Sequence, residues 1–159
     1  MKPTLEGFVS KFGGNVQLNT QFIVEKAERY YLLNPRIKKQ LRGNFYYAGL
    51  YLGKIKNGKF FPSFNLLDVL VDVVANKVVL DRKAAWLFIC GRDVFGQGVV
   101  KVMGSKRKGN FCLVLNEFGE CLGFGMIAAE LGELATDKVA IKNVLDVGDF
   151  LRRERRIKG

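Results

Sequence analysis

The sequence predicts an α+β protein in two parts, an N-terminal α/β region with an antiparallel sheet over residues 1–76 and a small β-barrel or sandwich over residues 77–159. Three observations predict it. Asn57-Gly58 lies between apolar runs and is the positive-φ pair that a two-residue hairpin turn demands. In the first half, segments with helical apolar spacing alternate with strand-like runs. After Asn76 that pattern gives way to short strands separated by glycine turns, which suits a barrel or sandwich and not a parallel sheet. The chain of 159 residues is 48% hydrophobic with three prolines, enough apolar surface to offset chain entropy.

Taken in order, Leu5, Phe8, Val9 and Phe12 recur at helical spacing, and Gly13-Gly14 stops that helix. Phe22–Val24 and Tyr30–Leu33 read as short strands. Asn34-Pro35 starts a helix with a capping side chain and Pro at its first position, and Arg36, Lys38, Lys39 and Arg42 give it a basic surface. Phe45–Leu52 alternates as a strand, turns at Asn57-Gly58 and returns through Phe60, Phe61 and Phe64. Asn65 is the expected cap of a helix over Leu66–Ala75, apolar nearly all round and so expected to lie wedged between two layers. Val78–Leu80 then reads as a strand and Ala84–Ile89 as a short helix ended by Gly91. The remaining strands are expected at Gly98–Met103, Phe111–Leu115, Leu122–Ala128 and Val139–Ile141, and Val144–Arg155 is helical only as a condition for a shared arginine face.

Composition narrows the function. The formal charge is +11, and both halves are positive: residues 1–76 hold 11 basic and 5 acidic groups, residues 77–159 hold 15 and 10. Excess positive charge of this size concentrates phosphate and drives association by counterion release, so nucleic acid is the first partner to consider and an anionic membrane the second. A membrane span needs roughly 20 apolar residues. The longest apolar run, Leu66–Leu80, is broken by Asp68, Asp72, Asn76 and Lys77, and Met1–Gly14 has no signal-peptide core. A soluble intracellular protein is expected. Cys90, Cys112 and Cys121 have no C-x-x-C spacing and read as buried small hydrophobes, with Cys112 facing the region of Gly125 across a hairpin turn at Asn116–Glu120. Histidine is absent, which removes the usual general base and the commonest metal ligand. No catalytic residue, metal or cofactor is expected.

The basic residues cluster. Arg152, Arg153, Arg155, Arg156 and Lys158 crowd the last residues, and on a helix Arg152, Arg155 and Arg156 would share a face. Lys106-Arg107-Lys108 lies between Gly104 and Gly109, where adjacent cations repel one another unless an anion relieves them. A solvated terminus and a solubilising loop are the plain alternatives. Phe45, Tyr46, Tyr47, Tyr51, Phe60, Phe61 and Phe64 could stack bases but read better as core, as does Trp86. Gly96-Gln97-Gly98 fits neither a dinucleotide fingerprint nor a P-loop, because the helix precedes the loop.

The second half resembles a PUA domain, the small RNA-binding barrel named after pseudouridine synthases and archaeosine transglycosylases. The resemblance rests on Val78–Leu80, the helix Lys83–Cys90, Gly91-Arg92-Asp93-Val94, Gly98-Val99, Gly123-Phe124-Gly125 and Val139–Ile141. It extends across the chain to the large ribosomal subunit biogenesis factor Nip-seven family through Phe64–Leu70, Leu122–Gly125 and Asp146–Arg152, with Gly148-Asp149-Phe150-Leu151-Arg152 similar to that family's terminal signature. The basic tail and shorter N-terminal half look more like an archaeal member. This resemblance implies an N-terminal α/β domain over 1–76, a PUA mixed β-barrel over 77–159, and Arg92, after the first barrel helix, facing RNA. It further implies a monomeric, non-catalytic RNA-binding factor in large-subunit assembly and pre-rRNA processing. Its partners would be ribosomal RNA or pre-rRNA, the pre-ribosomal particle and its assembly factors, and no membrane. It would work in the cytoplasm of an archaeon or the nucleolus of a eukaryote. The rival readings are an RNA-modification enzyme or its accessory PUA subunit, and a protein-interaction scaffold with an acidic partner.

Overall fold

The computed structural model describes residues 4–13, 18–132, 136–149 and 151–153. Helix α1 (Leu5–Val9) begins at Thr4, whose hydroxyl accepts from the Gly7 N–H, and tightens into a 3-10 turn over Ser10–Phe12. Leu5, Phe8, Val9 and Phe12 are buried, as their spacing predicts. Four strands follow as an antiparallel meander, β1 (Ile23–Lys26), β2 (Arg29–Leu32), β3 (Leu50–Lys56) and β4 (Lys59–Pro62), with α2 (Pro35–Gln40) between the second and third. Asn57 and Gly58 have φ of 50° and 69°, the turn their identities demand. The β1–β2 turn reaches the same region with Ala27 and Glu28, which carry no turn signal.

Helix α3 (Phe64–Val71) is shorter than expected and capped by Ser63, whose Oγ accepts from the Leu66 N–H. Asn65, the expected cap, instead donates to the Tyr51 carbonyl at 3.2 Å. Leu66, Leu67 and Leu70 are fully buried, and α3 touches β3 as well as the second sheet, while Asp68 and Asp72 keep one edge solvated.

The second sheet has six strands in the order β6-β10-β9-β8-β5-β7 and curls into a half-barrel. These are β5 (Lys77–Leu80), β6 (Val94–Phe95), β7 (Val99–Met103), β8 (Phe111–Leu115), β9 (Cys121–Ile127) and β10 (Val139–Asp146), with α4 (Arg82–Ile89) after β5. Among the described residues only the β5–β8 pair is parallel, so the sheet is mixed. The largest departure from expectation is β10. Leu145 and Asp146 pair with Phe124 and Gly123, so a helix over Val144–Arg155 does not start at Val144, although Asp149 and residues 151–153 are helical.

Alternation along β8 explains why that strand is apolar throughout. Phe111, Leu113 and Leu115 enter a core shared with α1, α3 and the first sheet, while Cys112 and Val114 enter the inside of the curl under α4. Phenylalanines fill the shared core: Phe8 lies edge-on to Phe124 at 5.4 Å and 5.1 Å from Phe60, and Phe12 is 5.6 Å from Phe111. Asn76, 1% exposed, ties this junction together. Its N–H donates to the Phe12 carbonyl, its carbonyl accepts from Leu113, its Nδ2 donates to the Phe111 carbonyl at 3.2 Å, and its Oδ1 accepts from the Ser105 N–H at 2.7 Å. Gly13 and Gly104 lie against it with φ of 75° and 78°, and a Cβ on either would come within 2.8 Å of that amide.

Several aromatic residues are not core. Tyr46 is 97% exposed, and Tyr47, Phe61 and Trp86 are exposed as well. The alternation over Phe45–Leu52 does not bury Tyr46 and Tyr47 because the strand begins only at Leu50. Trp86 lies on the outer side of α4, whose inner side is carried by Phe88. Cys112 does pair in register with Gly125 and is buried, Cys121 is half-buried, and Cys90 is exposed, contrary to expectation.

Asn76→Ala removes a donor and an acceptor that buried backbone groups depend on, so it should lower stability by about 2–4 kcal/mol in a denaturant titration. Burial pushes the Cys112 thiol up to about 12 and Cys121 to about 11 from 9.0. A thiol whose folded value is raised contributes stability that is complete below the unfolded value and lost as pH rises towards the folded one. Stability should therefore fall from about pH 9 upward, and at neutral pH iodoacetamide should modify Cys90 while sparing Cys112 until the chain unfolds.

Candidate nucleic-acid interface

Helix α4 ends in a left-handed glycine cap. Gly91 has φ of 88°, its N–H donates to the Phe88 carbonyl, and the Arg92 N–H donates to Leu87, closing the last turn as a Schellman motif. The chain then runs beside β10. Asp93 accepts from the Asn143 N–H at 2.9 Å, and Gly96 and Gln97 donate to the carbonyls of Lys138 and Thr136. Gly98 fits where a Cβ would lie 2.4 Å from that of Ala84. This bracing leaves the Arg92 side chain exposed, with no ion pair to another described residue.

Arg152 supplies the brace from behind. Its Nη1 donates to the Ile89 carbonyl at 2.7 Å, and both terminal nitrogens grip Asp146, the shorter contact being 2.7 Å. Asp146 is 2% exposed and also accepts from the Gly148 N–H and from Asn143, whose Nδ2 reaches the Phe88 carbonyl. The hydrogen bond to Asp146 raises the Arg152 guanidinium above its ordinary value. A Cβ at Gly148 would lie 2.0 Å from the Ile89 carbonyl, so only glycine lets the terminus approach α4.

The expected basic face is therefore divided. The Arg152 donors point inward, to a carboxylate and a carbonyl, while Arg153 is exposed and pairs with Asp149 at 2.7 Å. Arg155, Arg156 and Lys158 lie outside the described residues. Lys106, Arg107 and Lys108 are exposed on the loop between β7 and β8. That loop is moored through its backbone, Lys106 accepting from Leu131 and Lys108 donating to Glu130. The structure thus braces the Arg92 loop with Arg152 and moors the three-cation loop by other bonds.

Sequence reasoning missed the cleft beside Arg92. It measures about 290 Å³ between α4 and the Gly91–Gly98 loop and is lined by Lys83, Leu87, Asp93, Phe95 and Gln97. A cation, a half-exposed ring and an amide suit a nucleotide, but their spacing resembles no motif. Asp81 caps α4 by accepting from the Ala84 N–H at 2.7 Å, and Asp93 accepts from the Asn143 N–H at 2.9 Å. Among the described residues no three acidic or thiol groups converge as metal ligands would.

Residues 76–155, half of the chain, match the UPF0113 PUA domain family. The chain belongs to that family. A UPF0113 protein of Archaeoglobus fulgidus is 30% identical over 115 residues, which are 70% of this chain and 65% of that relative, so the match spans less than two thirds of the relative's length. A PUA domain protein of Thermoplasma acidophilum superposes with a TM-score of 0.56 at 23% identity, covering 83% of this chain and 79% of that one. A PUA domain of Aeropyrum pernix, solved with tartrate, gives 0.53 at 24% identity over 63% of this chain and 59% of its own. These likenesses show the fold. PUA domains bind RNA, and the UPF0113 match places the Arg92 loop and its Arg152 brace inside such a domain.

Arg152→Ala leaves Asp146 buried with fewer donors and should cost about 1–3 kcal/mol, where an exposed arginine would cost almost nothing. Arg152→Lys should recover little of it in thermal unfolding, because an ammonium cannot make the two-pronged contact. An unchanged midpoint in Arg152→Ala would return this residue to the solvated tail.

Proposed function

We propose that this chain is a non-catalytic RNA-binding factor of large ribosomal subunit assembly, of the Nip-seven kind, acting in pre-rRNA processing. The observation that carries the reading is the terminal clamp. Gly148 and Arg152, two residues of the signature on which that resemblance rests, are the ones whose shape and charge hold the Arg92 loop in place. An arginine held outward from a braced loop, with its supporting carboxylate consumed internally, offers phosphate a pre-organised partner. Lys106, Arg107 and Lys108 add exposed charge, in no ion pair with another described residue, on the loop between β7 and β8. The absence of histidine supports the non-catalytic half of the proposal, since proton transfer near neutral pH would need another group with a strongly shifted pKa.

Changing Arg92, Lys106, Arg107 and Lys108 together to Ala should weaken RNA binding at least tenfold and lower the slope of log affinity against log salt by about three units. Crosslinking in cells should map to ribosomal RNA, and the protein should co-sediment with large-subunit precursors. Purified protein incubated with ribosomal RNA and nucleotide or methyl-donor cofactors should bind the RNA and leave it unmodified. Turnover would move the chain to the RNA-modification enzymes, and unchanged affinity in the fourfold variant would remove these residues from the interface.

A further inference from the structure

Between Glu28 and Asp68 the chain carries eight lysines and arginines and no acid. Part of this excess is gathered over the face of the first sheet that does not pack into the core shared with the second sheet. Tyr30 and Tyr31 are neighbours on β2 and point to opposite faces, Tyr30 into the core shared with the second sheet and Tyr31 into a separate cluster with Leu33 and Ala48. Helix α2 and the 41–49 loop cover that second face through Ile37, Leu41 and Phe45. On their outside Arg36, Lys39 and Arg42 are exposed, and none forms an ion pair with another described residue.

Two tyrosines stand out of the same surface, Tyr46 at 97% and Tyr47 at 63% exposure. Their backbone is fixed. Lys26 donates to Asn44 Oδ1 at 2.6 Å and to the Phe45 carbonyl, the Tyr31 hydroxyl donates to the Tyr46 carbonyl at 3.2 Å, and the Tyr31 ring meets Tyr47 edge-on at 5.3 Å. Gly49, with φ of 64°, closes the loop where a Cβ would lie 2.3 Å from the Leu32 carbonyl. An aromatic ring presented to water from a pinned loop, beside cations without counter-charge, has the two parts of a single-strand site: a flat face for a base and positive charge for the backbone.

We propose that this surface is a second contact for single-stranded RNA, with Tyr46 stacking on a base and Arg36, Lys39 and Arg42 taking the flanking phosphates. The proposal rests on the reading of the chain as an RNA-binding protein and extends it to the first sheet. A duplex keeps its bases stacked inside, so a protruding ring selects unpaired RNA. Two surfaces on one folded chain also raise each other's effective concentration on a strand that reaches both.

The test uses the full chain, a labelled mixed-sequence single-stranded RNA and inorganic polyphosphate as a competitor that carries charge but no base. Tyr46→Ala should leave the unfolding midpoint unchanged, because its ring touches almost nothing, and should weaken RNA binding about tenfold, while Tyr46→Phe binds as the parent does. Polyphosphate affinity should not change in either variant. Replacing Arg36, Lys39 and Arg42 together by Ala should lower the salt slope by about two units. If the parent binds RNA and both sets of variants bind it equally well, this surface is not an RNA contact while the PUA reading stands. If the parent binds no RNA, both proposals fall together. Binding of poly-glutamate that is lost in the triple variant, with RNA affinity unaltered, would assign the surface to an acidic protein and overturn the proposal.

Discussion

The arrangement depends on Asn76 using all four of its hydrogen-bonding groups at once. Its backbone joins the turn after α1 to strand β8, and its side-chain amide, donor at one end and acceptor at the other, joins β8 to the segment after β7. A carboxylate of the same shape would lack the donor, and a longer amide would not fit between Gly13 and Gly104. The phenylalanine cluster around it supplies burial without direction. Asn76 supplies direction, fixing how α1 and the first sheet meet the half-barrel, because any other alignment leaves buried polar groups without partners.

From that junction outward, one strand serves two cores. The side chains of β8 alternate between the shared core and the inside of the curl, so the half-barrel cannot be packed independently of α1 and α3. The inside of the curl in turn positions α4, whose C-terminal cap projects Arg92. A path of close packing thus runs from the hydrophobic junction to the Arg92 loop, and its last link is electrostatic, Arg152 closing over Asp146 and the end of α4.

Charge is used in two ways in this chain. The carboxylates near the loop, Asp81, Asp93 and Asp146, are turned to backbone N–H groups or to Arg152 and so shape the local structure. The exposed cations Arg92, Lys106–Lys108, Arg36, Lys39 and Arg42 have no carboxylate partner among the described residues. Acids neutralised internally leave the surrounding field positive, which favours a polyanion without requiring any base-specific group.

Local chemistry was legible in the sequence. Asn57-Gly58, Asn34-Pro35, the Gly91 stop and the Cys112–Gly125 register all follow from short-range rules about positive φ, capping and alternation, and the structure shows each. The same rules assigned Ser63's role to Asn65, ended β10 at Ile141 although it runs to Asp146, and buried Tyr46 and Trp86. Each of those misses turns on which face of an element finds a partner, a matter of chain segments far apart in sequence. The candidate site divides in the same way. That Arg92 and Lys106–Lys108 are basic residues in glycine-flanked loops is written in the sequence itself. That Arg152 spends its charge on Asp146 while Arg92 does not was decided only by the tertiary structure, because the turn after β10 and the helical residues beyond it bring a carboxylate under one arginine and leave the other facing water.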